Sequence, residues 1–221
     1  QLAAIDQSSG RTAGLRHVTK DMKASAQKAA GGAEPVVRAA AAAVAAPGRS
    51  REEPLPAGEA RVALVDKRWN VEFHQTAGAQ IRVPAEAKMT EEVYIYACKD
   101  CAVFVDSKVK GVRVDKCRNI TIIMQSVLSG VEAVNCKKLK MQVMRDAPSV
   151  AIDKTDGCVV GLAWTARGAQ IVTSKSSEMN VTFPVSADED AEWVELPIPE
   201  QFVTKIDGGK LVSSVSDLYT H

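Results

Sequence analysis

Valines recur at a fixed interval through the middle of this chain. Val93, Val112, Val131 and Val150 are each 19 residues apart, and Ile171 follows after 21. Two places after each start stand Ile95, Val114, Ala133, Ile152 and Thr173, and five places after stand Cys98, Cys117, Cys136, Thr155 and Ser176. Val103, Ile122, Met141, Val160 and Val181 lie ten places on; Val105, Met124, Val143, Leu162 and Phe183 lie twelve. Short alternating apolar runs at such a period describe a solenoid whose coils stack, since one coil is too small to bury its own inner face. The spacing predicts an all-β chain, a right-handed parallel β-helix of about six coils starting near residues 71, 93, 112, 131, 150 and 171. In the first coil Val71 and Phe73 take the early inward places, with Ile81 and Val83 in the late ones. Gly111 and Gly130 precede two starts, where the chain has to turn.

The segments around the repeat are of different kinds. Residues 24–66 read as an Ala/Pro-rich linker. Its alanine run is broken by Gly31-Gly32 and Pro35 and stopped at Pro47-Gly48, and nothing in it could pack a core. As a flexible chain it spans on the order of 35 Å. After the solenoid, Ser186 to Glu192 is an acidic loop, and the proline-interleaved Trp193, Val194, Leu196 and Ile198 suit a cap over the stack's end. Residues 202–216 predict a hairpin around Asp207-Gly208-Gly209. Its apolar face, Phe202, Ile206, Leu211 and Val215, has no place inside the stack and fits pairing with a second copy of the chain.

Composition excludes some partners. Lys plus Arg number 28 against 27 Asp plus Glu, a formal net charge of +1, which gives no reason to expect nucleic acid or a membrane surface. No stretch approaches the roughly 20 apolar residues of a membrane span. The chain begins at Gln1 and reads as a piece of something longer. Its five cysteines fall on two inward columns, Cys98, Cys117 and Cys136 on one and Cys101 and Cys158 on the other. Cys98 and Cys101 spell C-x-x-C, but no second pair or His cluster completes a four-ligand zinc site. We read them as buried reduced thiols, hence a cytoplasmic setting. No cofactor or metal is expected.

Enzymatic readings find little support in the sequence. Asp153 and Asp156 lie at different points of one coil, Asp115 shares the column of Asp153, and His17, His74 and His221 are scattered. No nucleophile–base pair or phosphate-binding glycine loop is legible. The expectation is a binding protein and not an enzyme.

Two stretches resemble a known family. Leu2 and Ile5 share a face of a short predicted helix, and Gly14-Leu15-Arg16-His17-Val18-Thr19-Lys20-Asp21-Met22-Lys23 follows. Residues 1–23 resemble the verprolin/WASP-homology actin-binding motif of cyclase-associated proteins, with Arg16 where Lys is more usual. Leu2, Ile5, Leu15, Arg16 and Val18 would then bind actin. Alone, such a segment orders only on its partner, because fixing ten residues costs about 1–2 kcal/mol each. The repeat, from about Lys67 to the end, resembles the C-terminal β-helix domain of the same family. Tyr94-Ile95-Tyr96, Asp115-Lys116-Cys117, Lys154-Thr155-Asp156-Gly157-Cys158, Ser174-Lys175-Ser176-Ser177-Glu178-Met179-Asn180 and Pro199-Glu200-Gln201-Phe202 carry the likeness.

The resemblance implies a homodimer through the C-terminal strands, binding of actin monomers, preferably with ADP, and acceleration of ADP-to-ATP exchange. On the β-helix it points to Lys154, Thr155, Asp156, Ser174, Lys175, Ser177, Glu178 and Asn180. Asp156 either closes a corner or meets the partner, with Gly157 supplying a positive φ; both remain open from the sequence. The alternative is a tubulin-cofactor-like domain that activates a small GTPase through a Gln-x-Arg motif. Gln80-Ile81-Arg82 has that spelling, in the first coil.

Overall fold

The structure, a computed structural model, describes residues 53–217. The motif at residues 1–23, its proposed helix and most of the linker lie outside the described residues. Strands β1 (Arg61–Val65), β2 (Arg68–Glu72), β3 (Gln80–Arg82), β4 (Glu92–Tyr96), β5 (Ala102–Val105) and β6 (Val109–Asp115) build the first part. A long β7 (Arg118–Val134) serves both faces of its coil. It is followed by β8 (Lys137–Asp146), β9 (Ser149–Asp153), β10 (Asp156–Leu162), β11 (Gln170–Ser174), β12 (Ser177–Pro184) and β13 (Trp193–Pro197). A separate pair, β14 (Phe202–Asp207) and β15 (Lys210–Val215), ends the described chain.

Two parallel stacks carry the fold, as expected of a right-handed β-helix. One runs β2-β4-β6-β7-β9-β11, the other β3-β5-β7-β8-β10-β12. Six rungs on each face make five full turns from first to last. Between the stacks the columns predicted from the repeat pack together. Val93, Val112, Val131 and Val150 stand over one another on the first face, and Val103, Ile122, Met141 and Val160 on the second, all buried. Each such side chain contributes about 1.5–3 kcal/mol by leaving water.

The first coil departs from the predicted register by two residues. Trp69 pairs with Val93 and Val71 with Ile95, so Trp69 and Val71 point inward and Phe73 does not. Phe73 instead sits at a left-handed corner (φ 60°), half-buried, with its ring edge-on to Tyr96 at 5.6 Å. Inward placement suits Trp69 because its indole N–H finds the buried Glu91 carboxylate at 2.7 Å.

At each end of the stack an antiparallel strand covers one of the two faces. β1, inside the stretch read as linker, pairs with β2, and β13 pairs with β12 in the capping role predicted for Trp193–Ile198. Gly130 has φ 139°, and a Cβ there would lie 2.7 Å from Ser149 Oγ. Gly111 needs no special φ.

Candidate functional site

The recurrent corner between the two faces organises the candidate site. From the second coil on, each coil turns it with two residues in the left-handed region. These are Ala97 and Asp100, Lys116 and Asn119, Asn135 and Lys138, Lys154 and Gly157, and Lys175 and Glu178. A left-handed non-glycine residue is strained by roughly 1–2 kcal/mol, so something has to hold the corner closed. The column of Cys98, Cys117, Cys136, Thr155 and Ser176 does so. The Cys98 N–H donates to Cys117 Sγ (3.4 Å), the Cys136 N–H to Thr155 Oγ1 (3.3 Å) and the Thr155 N–H to Ser176 Oγ (3.1 Å). The same side chains donate onward to carbonyls, Cys136 Sγ to Val134 O at 3.3 Å and Thr155 Oγ1 to Asp153 O at 3.1 Å. All five cysteines are free and buried. Burial pushes Cys117 well above the usual thiol range and Cys158 up to about 12.

Thr155 therefore leaves the list of partner-facing residues. It is 1% exposed and spends its hydroxyl on two backbone groups. Its neighbours differ. Lys154 and Lys175 occupy corner positions with φ 47° and 49°, their side chains exposed, one above the other with Lys116 two coils below Lys154. Asp156 and Ser177 are register partners, and the Ser177 hydroxyl donates to Asp156 Oδ1 at 2.8 Å. The Asp156 carboxylate thus ties two coils together while staying exposed. Glu178 is exposed and its N–H donates to the Glu200 carboxylate. Asn180 is half-buried and donates to Glu195 Oε1 at 2.5 Å. Ser174 ends β11, whose outer edge carries no further strand among the described residues. Lys154, Asp156, Ser174, Lys175, Ser177, Glu178 and Asn180 thus gather on the corner of the last two coils. Glu195 and Glu200 pin this corner from the cap; Glu195 carries no sequence signal, Glu200 falls in a stretch of family likeness, and the role of both needs the antiparallel return of β13.

Elsewhere Asp115, Tyr94 and Arg82 have defined partners. Asp115 accepts from Tyr94 Oη (3.2 Å) and Asn135 Nδ2 (3.1 Å), and Val134 separates it from Asp153 in the stack. Partial burial, reinforced by that carboxylate, raises the Tyr94 phenol to about 12. Arg82 of the Gln80-Ile81-Arg82 run lies over the Phe104 ring at 4.3 Å and pairs with Asp106 at 2.6 Å. Among the described residues no three His, Cys, Asp or Glu are grouped to hold a metal ion, and no helix is long and apolar enough to cross a membrane.

In the tail, Phe202 pairs with Val215 and Ile206 with Leu211, so the four apolar residues share one face. Every residue of both strands is exposed, Ile206 by 80% and Leu211 by 75%. In the last two coils Leu162, Ile171, Val181 and Phe183, with Arg167, line a mouth of about 560 Å³. Leu2, Ile5, Leu15, Arg16 and Val18 lie outside the described residues.

Comparison with known proteins places these features. The family described as "Adenylate cyclase associated (CAP) C terminal" matches residues 58–218. The adenylyl cyclase-associated protein of Dictyostelium discoideum is 38% identical over 207 residues, covering 94% of this chain and 42% of that protein. Adenylyl cyclase-associated protein 1 of Bos taurus is 33% identical over 219 residues, covering 98% of this chain and 45% of the relative. The crystal structure of cyclase-associated protein from Cryptosporidium parvum is similar with a TM-score of 0.69 at 30% identity, over 74% of this chain and all of that one. The chain spans less than half the length of the curated relatives it matches.

Proposed function

Since the chain belongs to the cyclase-associated protein family, in its C-terminal part, we propose that it binds actin monomers, preferably in the ADP state, and speeds their exchange to ATP in the cytoplasm. The observation that carries this reading is the extent of the match. Relatives align over 98% of the chain, so the WASP-homology-like stretch at residues 1–23 and the β-helix come together in one alignment. Leu2, Ile5, Leu15 and Val18 would fill an apolar groove on actin, with Arg16 at its rim, in the helix-in-groove manner. The corner of the last two coils, with Lys154, Lys175 and the exposed Asp156, Ser174 and Glu178, would meet a second part of the same monomer.

Exchange needs no catalytic group. A protein that binds the nucleotide-open form of actin more tightly than the closed form weakens the nucleotide's hold by the same factor. We further propose a homodimer through β14 and β15. Their fully exposed apolar face supports it, because two such strands alone are only marginally stable in water. The test is release of fluorescent ADP from actin monomers with this chain added. Acceleration that Leu15→Ala with Val18→Ala suppresses is the expected result; no acceleration and no monomer binding would overturn the reading.

A further inference from the structure

Residues Glu53–Gly58 precede the first strand, yet they are laid along the corner. Gly58 sits against the Phe73 ring so closely that a Cβ would come within 2.4 Å of it. The Pro56 carbonyl accepts from Gln75 Nε2 at 3.4 Å, and the same amide donates to Ala97 O at 3.2 Å. Further back, the Arg118 guanidinium donates to the Glu53 carbonyl. Leu55 and Pro56 are half-buried. Phe73 and Gln75 belong to the first coil, Ala97 to the second and Arg118 to the third. Read backwards from β1, the segment climbs the stack instead of leaving it. Six residues reach this far easily at about 3.3 Å each, and two prolines keep them extended.

We infer that Glu53–Gly58 is a strap that moves the exit of the upstream chain from the first coil to the third, nearer the candidate face. Arg118 is in register with Lys137, Lys137 with Asp156, and Asp156 with Ser177, so one ridge continues from the strap's end to the candidate face. A chain leaving at Arg61, on β1 one spacing outside the first coil, would start about six strand spacings, roughly 29 Å, from the Ser177 corner. Leaving at Glu53 it starts about three spacings away, roughly 14 Å. The strap is therefore a positioning element for the upstream motif. Its consequence for actin rests on the reading given under Proposed function: a tether that starts nearer the candidate face raises the effective concentration of the second element once the first is bound.

A spin label at Ser50→Cys in the whole chain tests the geometry without actin, the native thiols being buried. The expected result is broadening of the Lys137, Asp156 and Ser177 amides above those near Phe73, lost in Gly58→Leu and in Arg118→Ala. Equal broadening at both ends of the ridge, or a pattern that neither variant changes, would overturn the strap. Actin affinity adds a second reading. Either variant should weaken monomer binding about threefold through lost effective concentration, and should do so only while Leu15 and Val18 are intact. An equal loss in the Leu15→Ala/Val18→Ala background overturns the positioning role. Should the unaltered chain not bind actin at all, the proposed function fails, and the label result decides the strap by itself.

Discussion

Thr155 stands directly above Cys136 in the corner column and accepts its backbone N–H at 3.3 Å, the place Cys117 Sγ holds for Cys98 one repeat pair earlier. A threonine hydroxyl and a cysteine thiol thus do one job. Thr155→Val keeps the shape but leaves the Cys136 N–H unsatisfied in a buried corner, a loss of about 1–3 kcal/mol. Thr155→Ser should cost far less. Urea unfolding of the three proteins reads the difference, and an equal loss for both variants would show that the hydroxyl is not the holding group.

The two turn glycines should separate. Gly130 has φ 139° and would press a Cβ to 2.7 Å from Ser149 Oγ, whereas the nearest atom to a Cβ at Gly111 is 3.6 Å away. Gly130→Ala is expected to lose about 1–3 kcal/mol from a strained backbone. Gly111→Ala should be nearly neutral. Thermal unfolding of both variants checks the order.

Stability should fall in alkali. Burial raises the Cys158 thiol from 9.0 to about 12, so above pH 9 the unfolded chain releases this proton first. The linkage sign follows: the contribution is complete below pH 9 and is lost as pH rises toward 12. Cys158→Ala should flatten the decline of unfolding free energy between pH 9 and 10.5, at the cost of a lower plateau. An unchanged slope would place the titration elsewhere.

Charge reversal at the exposed corner tests the binding face. Lys154→Glu with Lys175→Glu should weaken actin-monomer binding about tenfold at low salt and less as salt rises, since exposed charges are screened within about 10 Å at 0.1 M. Unfolding should be unchanged, because neither lysine makes an ion pair shown among the described residues. Unaltered binding would move the face elsewhere on the β-helix.

Association through the tail is tested by Ile206→Asp with Leu211→Asp. These two residues face each other on the exposed hairpin, so charges there should turn a dimer into monomers in sedimentation while the stack unfolds at the same urea concentration. A monomeric unaltered chain would remove the dimer from the proposal.

The amino-acid sequence by itself determined the solenoid. A side-chain period of two within strands and of 19 between coils leaves one arrangement that buries Val93, Val112, Val131 and Val150 together, and the stack shows it. It also marked the cysteine column and the tail hairpin. The first coil escaped it, because alternation is satisfied equally by Val71-x-Phe73 and Trp69-x-Val71. What chose between them was a long-range partner, the Glu91 carboxylate that accepts the Trp69 N–H. Thr155 was drawn into the candidate face because family likeness marks a stretch and not the direction a side chain takes. Its burial follows from the column, which the repeat already spelled out. The strap and the pinning of the corner by Glu195 and Glu200 were decided by tertiary structure alone. They join residues 15 to 65 positions apart through backbone carbonyls, a backbone N–H and one side-chain pair, and carbonyls and N–H groups, present at nearly every residue, leave no mark in a sequence.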